Sequence, residues 1–509
     1  MLSRPGIWLA AFVAALHFWA NKDYGYARDE LYFIVCGQRP DWGYVDQPPL
    51  IPLVAAFTHA LFPGSLRLLR LLPAVAHAAT VVLTAETART LGGGIRAQLI
   101  AGLSALLCSI YLGFGTFLYT DVLQPASWLF CAYGLIRLIR DKDERWSTPV
   151  GIVLGLALNT KYTIAFWILA LLLGLALTSA RRSLLRPGVY VAAAIAVLMV
   201  LPNLIWQWEN GWPFLDIALG GVEERNIIRS PWTFMLIQVR DLNPATAPIW
   251  IAGLAAFAFW DRFADLRAIA VAFGLLILAM MALHAKSYYP SGAYAVLFAG
   301  GAVLLEAWIT TQRLRAVAAI ALTALGLPAL PFVVPVLPIE RFEAYAAFLR
   351  IPPVAEEKLT LGRLPLFYAD MFGWEDLAAL VGQAYQSLSP EERAEAVFFG
   401  SDYGEAAAVD VPAKSWGLPA SISVHHNYYL WGSHDHTGSV VINLGGRREE
   451  LLKLYSSVEA MGVTNNPWAL PFETGLTVWI CRGRYRRFED DWPSLKGNSQ
   501  TGSFSHFQN

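Results

Sequence analysis

Apolar stretches long enough to cross a bilayer recur along most of this chain, and they constrain its fold more than any other feature. A helix needs roughly 20 apolar residues to span the hydrocarbon layer. Within that layer only helices and closed barrels satisfy their own backbone groups. The apolar runs read as spans at about 5–20, 66–88, 97–115, 121–138, 149–161, 162–179, 188–206, 233–259, 268–284, 290–309 and 316–337. The stretch 149–179 reads as a hairpin turning near Lys161. Hydrophobic residues make up 56% of the 509 and charged residues 15%. Soluble domains run nearer about 45–50% and about 25%. The expected class is therefore a polytopic α-helical membrane protein with about 11 transmembrane helices.

Other classes are disfavoured on simple grounds. The net charge is −1, so no global basic field points to nucleic acid. Cys36, Cys108, Cys131 and Cys481 show no CxxC spacing and define neither a disulfide framework nor a zinc site. Arg4 and the apolar run after it resemble a signal peptide without a small-residue cleavage site, and read as a retained first helix.

Lysine and arginine orient the spans. One set of loops carries Arg4, Arg89, Arg96, Arg137, Arg140, Lys142, Arg145, Arg181, Arg182, Arg186, Arg262, Arg267, Arg313 and Arg315. The alternate set carries only Lys22, Arg28, Arg39, Lys161, Arg225, Arg229 and Lys286. By the positive-inside rule the first set is cytoplasmic. An odd number of spans then leaves the C-terminal region outside. The expected divisions are a transmembrane domain at 1–338 with a first outer loop at 21–65, an outer soluble α/β domain at 339–490, and a disordered tail at 491–509. Within the soluble part "AVFFG", "SVVINLG" and "LTVWICR" read as strands, and "WEDLAALVGQAYQSL" and "REELLKLYSSVEAMG" as helices.

The remaining charges collect on the outer side: Asp29, Glu30, Asp46, Asp121, Lys161, Glu209, Glu223, Glu224, Arg225, Asp241, His284 and Lys286. Any loop is polar, but Asp121 and Lys161 interrupt apolar sequence. An ionisable group there costs roughly 2.5–3.5 kcal/mol on insertion scales unless it meets water or a partner. An acid and a base at one depth suggest a polar cavity that opens outward and suits a substrate half lipid, half polar. The apolar run 48–63 reads as a helix lying on the membrane surface.

The first loop carries the most specific pattern, "ARDELYF" followed by "WGYVDQPPL". It resembles the first outer loop of GT-C membrane glycosyltransferases, nearest the branch holding protein O-mannosyltransferases and the lipid A aminoarabinose transferase. Many bacterial members share the segment but carry His where Gln47 stands here. "YTDVLQPASW", "GLALNTKYT", "LPNLIWQWENGWPF" and "KSYYPSGAY" resemble further family segments, as do "DMFGWEDLAALV", "SDYGEAAAVD" and "HHNYYLWG". The resemblance implies an inverting transferase using a polyprenyl-phosphate sugar donor and an acceptor hydroxyl on a glycan, lipid or protein. It implies residence in a bacterial cytoplasmic membrane, with the active site facing the periplasm. It makes Asp29 the candidate base, with Glu30 and Asp121 orienting it or holding a divalent metal. Lys161, Lys286 and Arg225 become candidates for the donor phosphate. Tyr26, Trp42, Tyr44, Asp46, Tyr288 and Tyr289 become candidates for contacting substrate.

Three bland readings compete. Asp29 could be the N-cap of a short helix starting at Glu30. The same cavity could serve a transporter or flippase without chemistry. His425, His426, His434, Asp435 and His436 have the donor types zinc takes, but read better as a polar loop. A reporter active only in the periplasm, fused after Pro338, should be active; activity of a cytoplasm-only reporter at that position would overturn the orientation.

Overall fold

A computed structural model describes residues 3–224, 226–355, 358–413 and 417–495. The chain divides into two compact units. The first comprises Met1–Asp23, Ser65–Trp206 and Ile227–Phe342; the second comprises Tyr24–Gly64, Gln207–Asn226 and Glu343–Asn509. The division does not follow the expected boundary at 338, because the first loop belongs with the C-terminal residues.

The first unit is helical. Among the described residues five helices are long and apolar enough to cross a membrane, or up to seven if each bent pair counts as one span. Other expected spans are occupied by shorter helices, among them Arg4–Ala20, Gln124–Arg140, Ser147–Leu158 and Ile164–Ala176. The chain turns between the last two at residues 159–163, around Lys161. Polar residues inside the helix Leu71–Thr90 look after themselves: the hydroxyls of Thr80, Thr84 and Thr87 each donate to the carbonyl four residues back. Small residues bring two further helices into backbone contact. A Cβ at Gly253 would fall on the Leu297 carbonyl, and one at Gly301 on the Ile249 carbonyl.

Two expected spans are broken. The run 233–259 is two helices, Pro231–Asp241 and Ala247–Phe259, bent by 97°. The run 97–115 stops at Leu107 and restarts at Ser109. One residue joins both breaks. Asn243 sits at φ 77° just before Pro244, where the chain cannot continue a helix. Its amide donates to the carbonyls of Leu107 and Gly326 at 3.0 and 2.9 Å, so carbonyls freed by a break are hydrogen-bonded rather than stranded in apolar surroundings.

The second unit holds a five-stranded sheet: β1 Ala396–Gly400, β2 Ile422–Ser423, β3 Val440–Leu444, β4 Tyr455–Val463 and β5 Thr477–Arg484. The order is β2-β1-β3-β5-β4, with β2, β1 and β3 parallel and β5 antiparallel to both neighbours. Residues 448–462, expected as a helix, instead give one helical turn at Arg448–Leu451 and then β4. Ser456 and Ser457 add little helix propensity. Pairing with β5 buries Tyr455 and Val458 against Val441 and Cys481 instead. Residues 491–495, expected in the tail, are helical, and Trp492 stacks on Tyr429 with ring centroids 5.9 Å apart. Residues 496–509 lie outside the described residues.

In the first loop the helices are Arg28–Gln38 and Leu50–Leu61. The second covers the run expected to lie on the membrane, and leaves Leu53, Phe57 and Leu61 exposed along it.

Candidate active site

Two buried clusters of charge, one in each unit, hold expected site residues. In the first unit Asp121 sits in the turn before the helix Gln124–Arg140, where its carbonyl accepts the Gln124 N–H. Its carboxylate is fully buried and meets Lys161 Nζ at 2.6 Å. Three rings surround the same ammonium: Tyr289 at 4.8 Å, Tyr288 at 5.5 Å and Tyr119 at 5.7 Å from centroid. A buried ion pair repays its desolvation only with good geometry and further partners. Here the carboxylate supplies the first and the ring faces the second, each worth about 0.5–2 kcal/mol to a cation. Asp121, Lys161, Tyr288 and Tyr289 are thus brought together. Asp121 Oδ1 makes no hydrogen bond among the described residues. Lys286 is half-buried two residues before Tyr288. Arg225 lies outside the described residues.

The second cluster is built on the helix Arg28–Gln38, which starts at Arg28, two residues earlier than a cap at Asp29 would require. Glu30 is fully buried and reaches back to accept the Ala27 N–H at 2.9 Å. That is the reciprocal half of a capping box, so Glu30 rather than Asp29 does the capping. Asp29, at the second helical position, is left facing a hydroxyl: Tyr403 donates to its Oδ1 at 2.8 Å.

Arg28 organises what surrounds that helix turn. Its Nη1 donates to Asp402 at 3.1 Å and its Nη2 to Glu473 at 2.8 Å, and its Nε forms an ion pair with Asp370 at 3.0 Å. The rings of Trp374 and Phe472 lie 5.3 and 5.4 Å from its guanidinium carbon. Asp402 divides its oxygens, since the other one caps the helix Tyr403–Ala413 through the Glu405 N–H at 2.8 Å. Gly404 is needed beside it, because a Cβ there would press on the Arg28 side chain. Burial works against the Arg28 charge, but Asp370, Asp402 and Glu473 outweigh it and push its pKa up. The acids respond in the opposite sense. Burial lifts Asp370 to about 7 and Glu473 to about 8, and Arg28 only partly reverses it. Glu405 is raised too, by burial first and then by Asp402 and Glu473.

Other expected residues fall as follows. Tyr26 and Asp46 are half-buried, and the Tyr32 hydroxyl is 3.2 Å from Asp46 and 3.3 Å from Asn427. Trp42 is 64% exposed. Tyr44 is fully buried, with its hydroxyl on the Cys36 carbonyl at 2.8 Å. The rings of His425, His426 and Tyr403 pack together, with His426 stacked on Tyr403 and the other two pairs tilted. No group of three or more His, Cys, Asp or Glu placed to hold a metal occurs among the described residues. Sequence reasoning missed Arg28, Asp370, Asp402, Tyr403 and Glu473. The signal was present for three of these, since "DMFGW" opens on Asp370 and "SDYG" contains Asp402 and Tyr403.

Residues 46–206 match the family model of dolichyl-phosphate-mannose-protein mannosyltransferases. The lipid A galacturonosyltransferase RgtD of Rhizobium johnstonii is 26% identical over 183 residues, which is 36% of this chain and 38% of that protein. The match thus spans well under two thirds of that relative. ArnT from Cupriavidus metallidurans bound to undecaprenyl phosphate superposes with a TM-score of 0.58 at 14% identity, covering 93% of this chain and 97% of that one. Its apo state gives 0.59. The fold is that of ArnT. With its apolar helices, the chain is a multi-pass membrane protein of that fold.

The acids around Arg28 make a pH prediction. Asp370 and Glu473 hold protons more tightly in the folded chain than an unfolded carboxyl near about 4 does. Folding takes up protons between those values, so stability falls as pH rises from about 4 to about 8. Thermal unfolding in detergent should occur at a higher temperature at pH 6 than at pH 8.5. Arg28→Gln should cost about 3–5 kcal/mol at neutral pH, the usual loss when a buried pair is broken, and less at pH 5, where Asp370 and Glu473 are neutral.

Proposed function

We propose that this chain is an inverting glycosyltransferase that moves a sugar from a polyprenyl-phosphate donor to an acceptor hydroxyl on the outer face of the cytoplasmic membrane. The observation that carries this reading is the Lys161 ammonium, held by Asp121 and three tyrosine rings, in a chain whose fold matches a transferase bound to undecaprenyl phosphate. An ammonium has three N–H donors. One meets Asp121, and a phosphate oxygen is a natural partner for the others.

The reaction is a single displacement. The acceptor oxygen attacks the anomeric carbon, and Asp29 takes its proton. The bond from the anomeric carbon to the phosphate oxygen breaks, with its electron pair leaving on the phosphate. Lys161 and Lys286 would steady that developing charge, with Arg225 as a further candidate. Attack opposite the leaving group inverts the anomeric centre and needs no sugar–enzyme bond. Asp121 Oδ1 is an acceptor for a sugar hydroxyl or a cation. Trp42, Tyr26, Asp46, Tyr288 and Tyr289 are the candidate substrate contacts. Glu30 serves the reaction by fixing the helix turn that carries Asp29. Eleven spans would place this chemistry, and residues 339–490, on the periplasmic side. The helix Leu50–Leu61, with Phe57 66% exposed, suits a lipid surface.

The test is release of free polyprenyl phosphate by purified protein given a polyprenyl-phosphate sugar and a cell-envelope extract as acceptor. Wild type should release it, and Asp29→Asn should be slower by about 10²–10⁴-fold, the usual worth of a general base. Lys161→Met should weaken use of the donor. Movement of donor across vesicles without release would instead mark a transporter. Full activity of Asp29→Asn with a dead Glu30→Gln would move the base by one residue.

A further inference from the structure

The first turns of two helices from distant parts of the chain meet residue for residue. Arg28 bonds Asp402, and the next residue on each side repeats the contact: Asp29 accepts from Tyr403 at 2.8 Å. The Tyr403 ring is gripped on several sides. Its centroid lies 4.7 Å from that of Tyr32, 4.9 Å from His426 and 5.1 Å from His425. Asp402, next to it, is held by Arg28 and by the helix it caps. The phenol therefore approaches Asp29 from a fixed direction. We infer that Tyr403 is a positioning residue for Asp29, orienting its carboxylate and favouring the ionised form that can accept the acceptor's proton. This rests on the reading of Asp29 as the base.

The physical case has two parts. A carboxylate with one oxygen bonded loses rotational freedom, and its other oxygen is aimed as a consequence. A donor to a carboxylate also favours the charged state and lowers the acid's pKa. The phenol can play this part throughout the working pH range. Burial, and then the Asp29 charge itself, push Tyr403 well above an ordinary tyrosine, so it stays protonated and donates.

Tyr403→Phe keeps the ring and its contacts and removes only the donor. The pH profile of kcat for polyprenyl phosphate release should then show its acid limb moved up by about one unit or more, in line with a hydrogen bond to a charged group. KM for the donor should stay as in wild type. Replacing Tyr403 by 3-fluorotyrosine, a more acidic and stronger donor of the same shape, should move the limb down; this variant decides the matter if Tyr403→Phe does not insert. An acid limb that stays put in these variants, with Asp29→Asn still inactive, overturns the positioning role and leaves Asp29 as the base. An active Asp29→Asn overturns the base, and the role of Tyr403 with it.

Discussion

The second unit depends on one buried cation. Arg28 is 8% exposed, and an isolated charge so placed would cost several kcal/mol. Its planar fork is met by carboxylates from three segments far away in sequence, Asp370, Asp402 and Glu473. Lysine could not answer three acids in one plane. The arrangement ties the first loop to the residues around β1 and to those before β5. It also overshoots, because Glu405 adds a fourth acid beside a single positive charge. Burial first, and then the neighbouring acids, push Asp370 and Glu473 to about 7 and about 8, so protonation relieves the excess. Whatever fixes Arg28 fixes its neighbour Asp29, one residue along the same helix turn.

The first unit solves a similar problem differently. Lys161 meets one carboxylate, and aromatic faces do the rest. A cation steadied by quadrupoles rather than by several anions keeps its attraction for a further anion. That distinction bears on function: the Arg28 site is electrostatically closed, and the Lys161 site is one a phosphate could join.

Much of this was legible because periodicity and charge are local signals. The apolar runs located helices, and "AVFFG", "SVVINLG" and "LTVWICR" located β1, β3 and β5. What was illegible came from partners distant in sequence. Asn243 breaks an apolar run because the carbonyls it bonds belong to Leu107 and Gly326. Residues 455–463 look helical alone and become β4 because β5 lies beside them. Asp29 and Glu30 stood out as a pair, but their division of labour, one capping and one facing Tyr403, depends on where the helix starts. Arg28 looked like an ordinary loop charge, since its partners lie hundreds of residues away.

The proposed reaction is a single displacement at the anomeric carbon, with Asp29 as base and no sugar–enzyme bond. The direct measurement is the anomeric configuration of the product made from a polyprenyl-phosphate donor of defined configuration, read by nuclear magnetic resonance from the coupling and shift of the anomeric proton. A single displacement gives a product of opposite configuration to the donor. A product that retains the donor's configuration would require a double displacement through a covalent intermediate, and would contradict it.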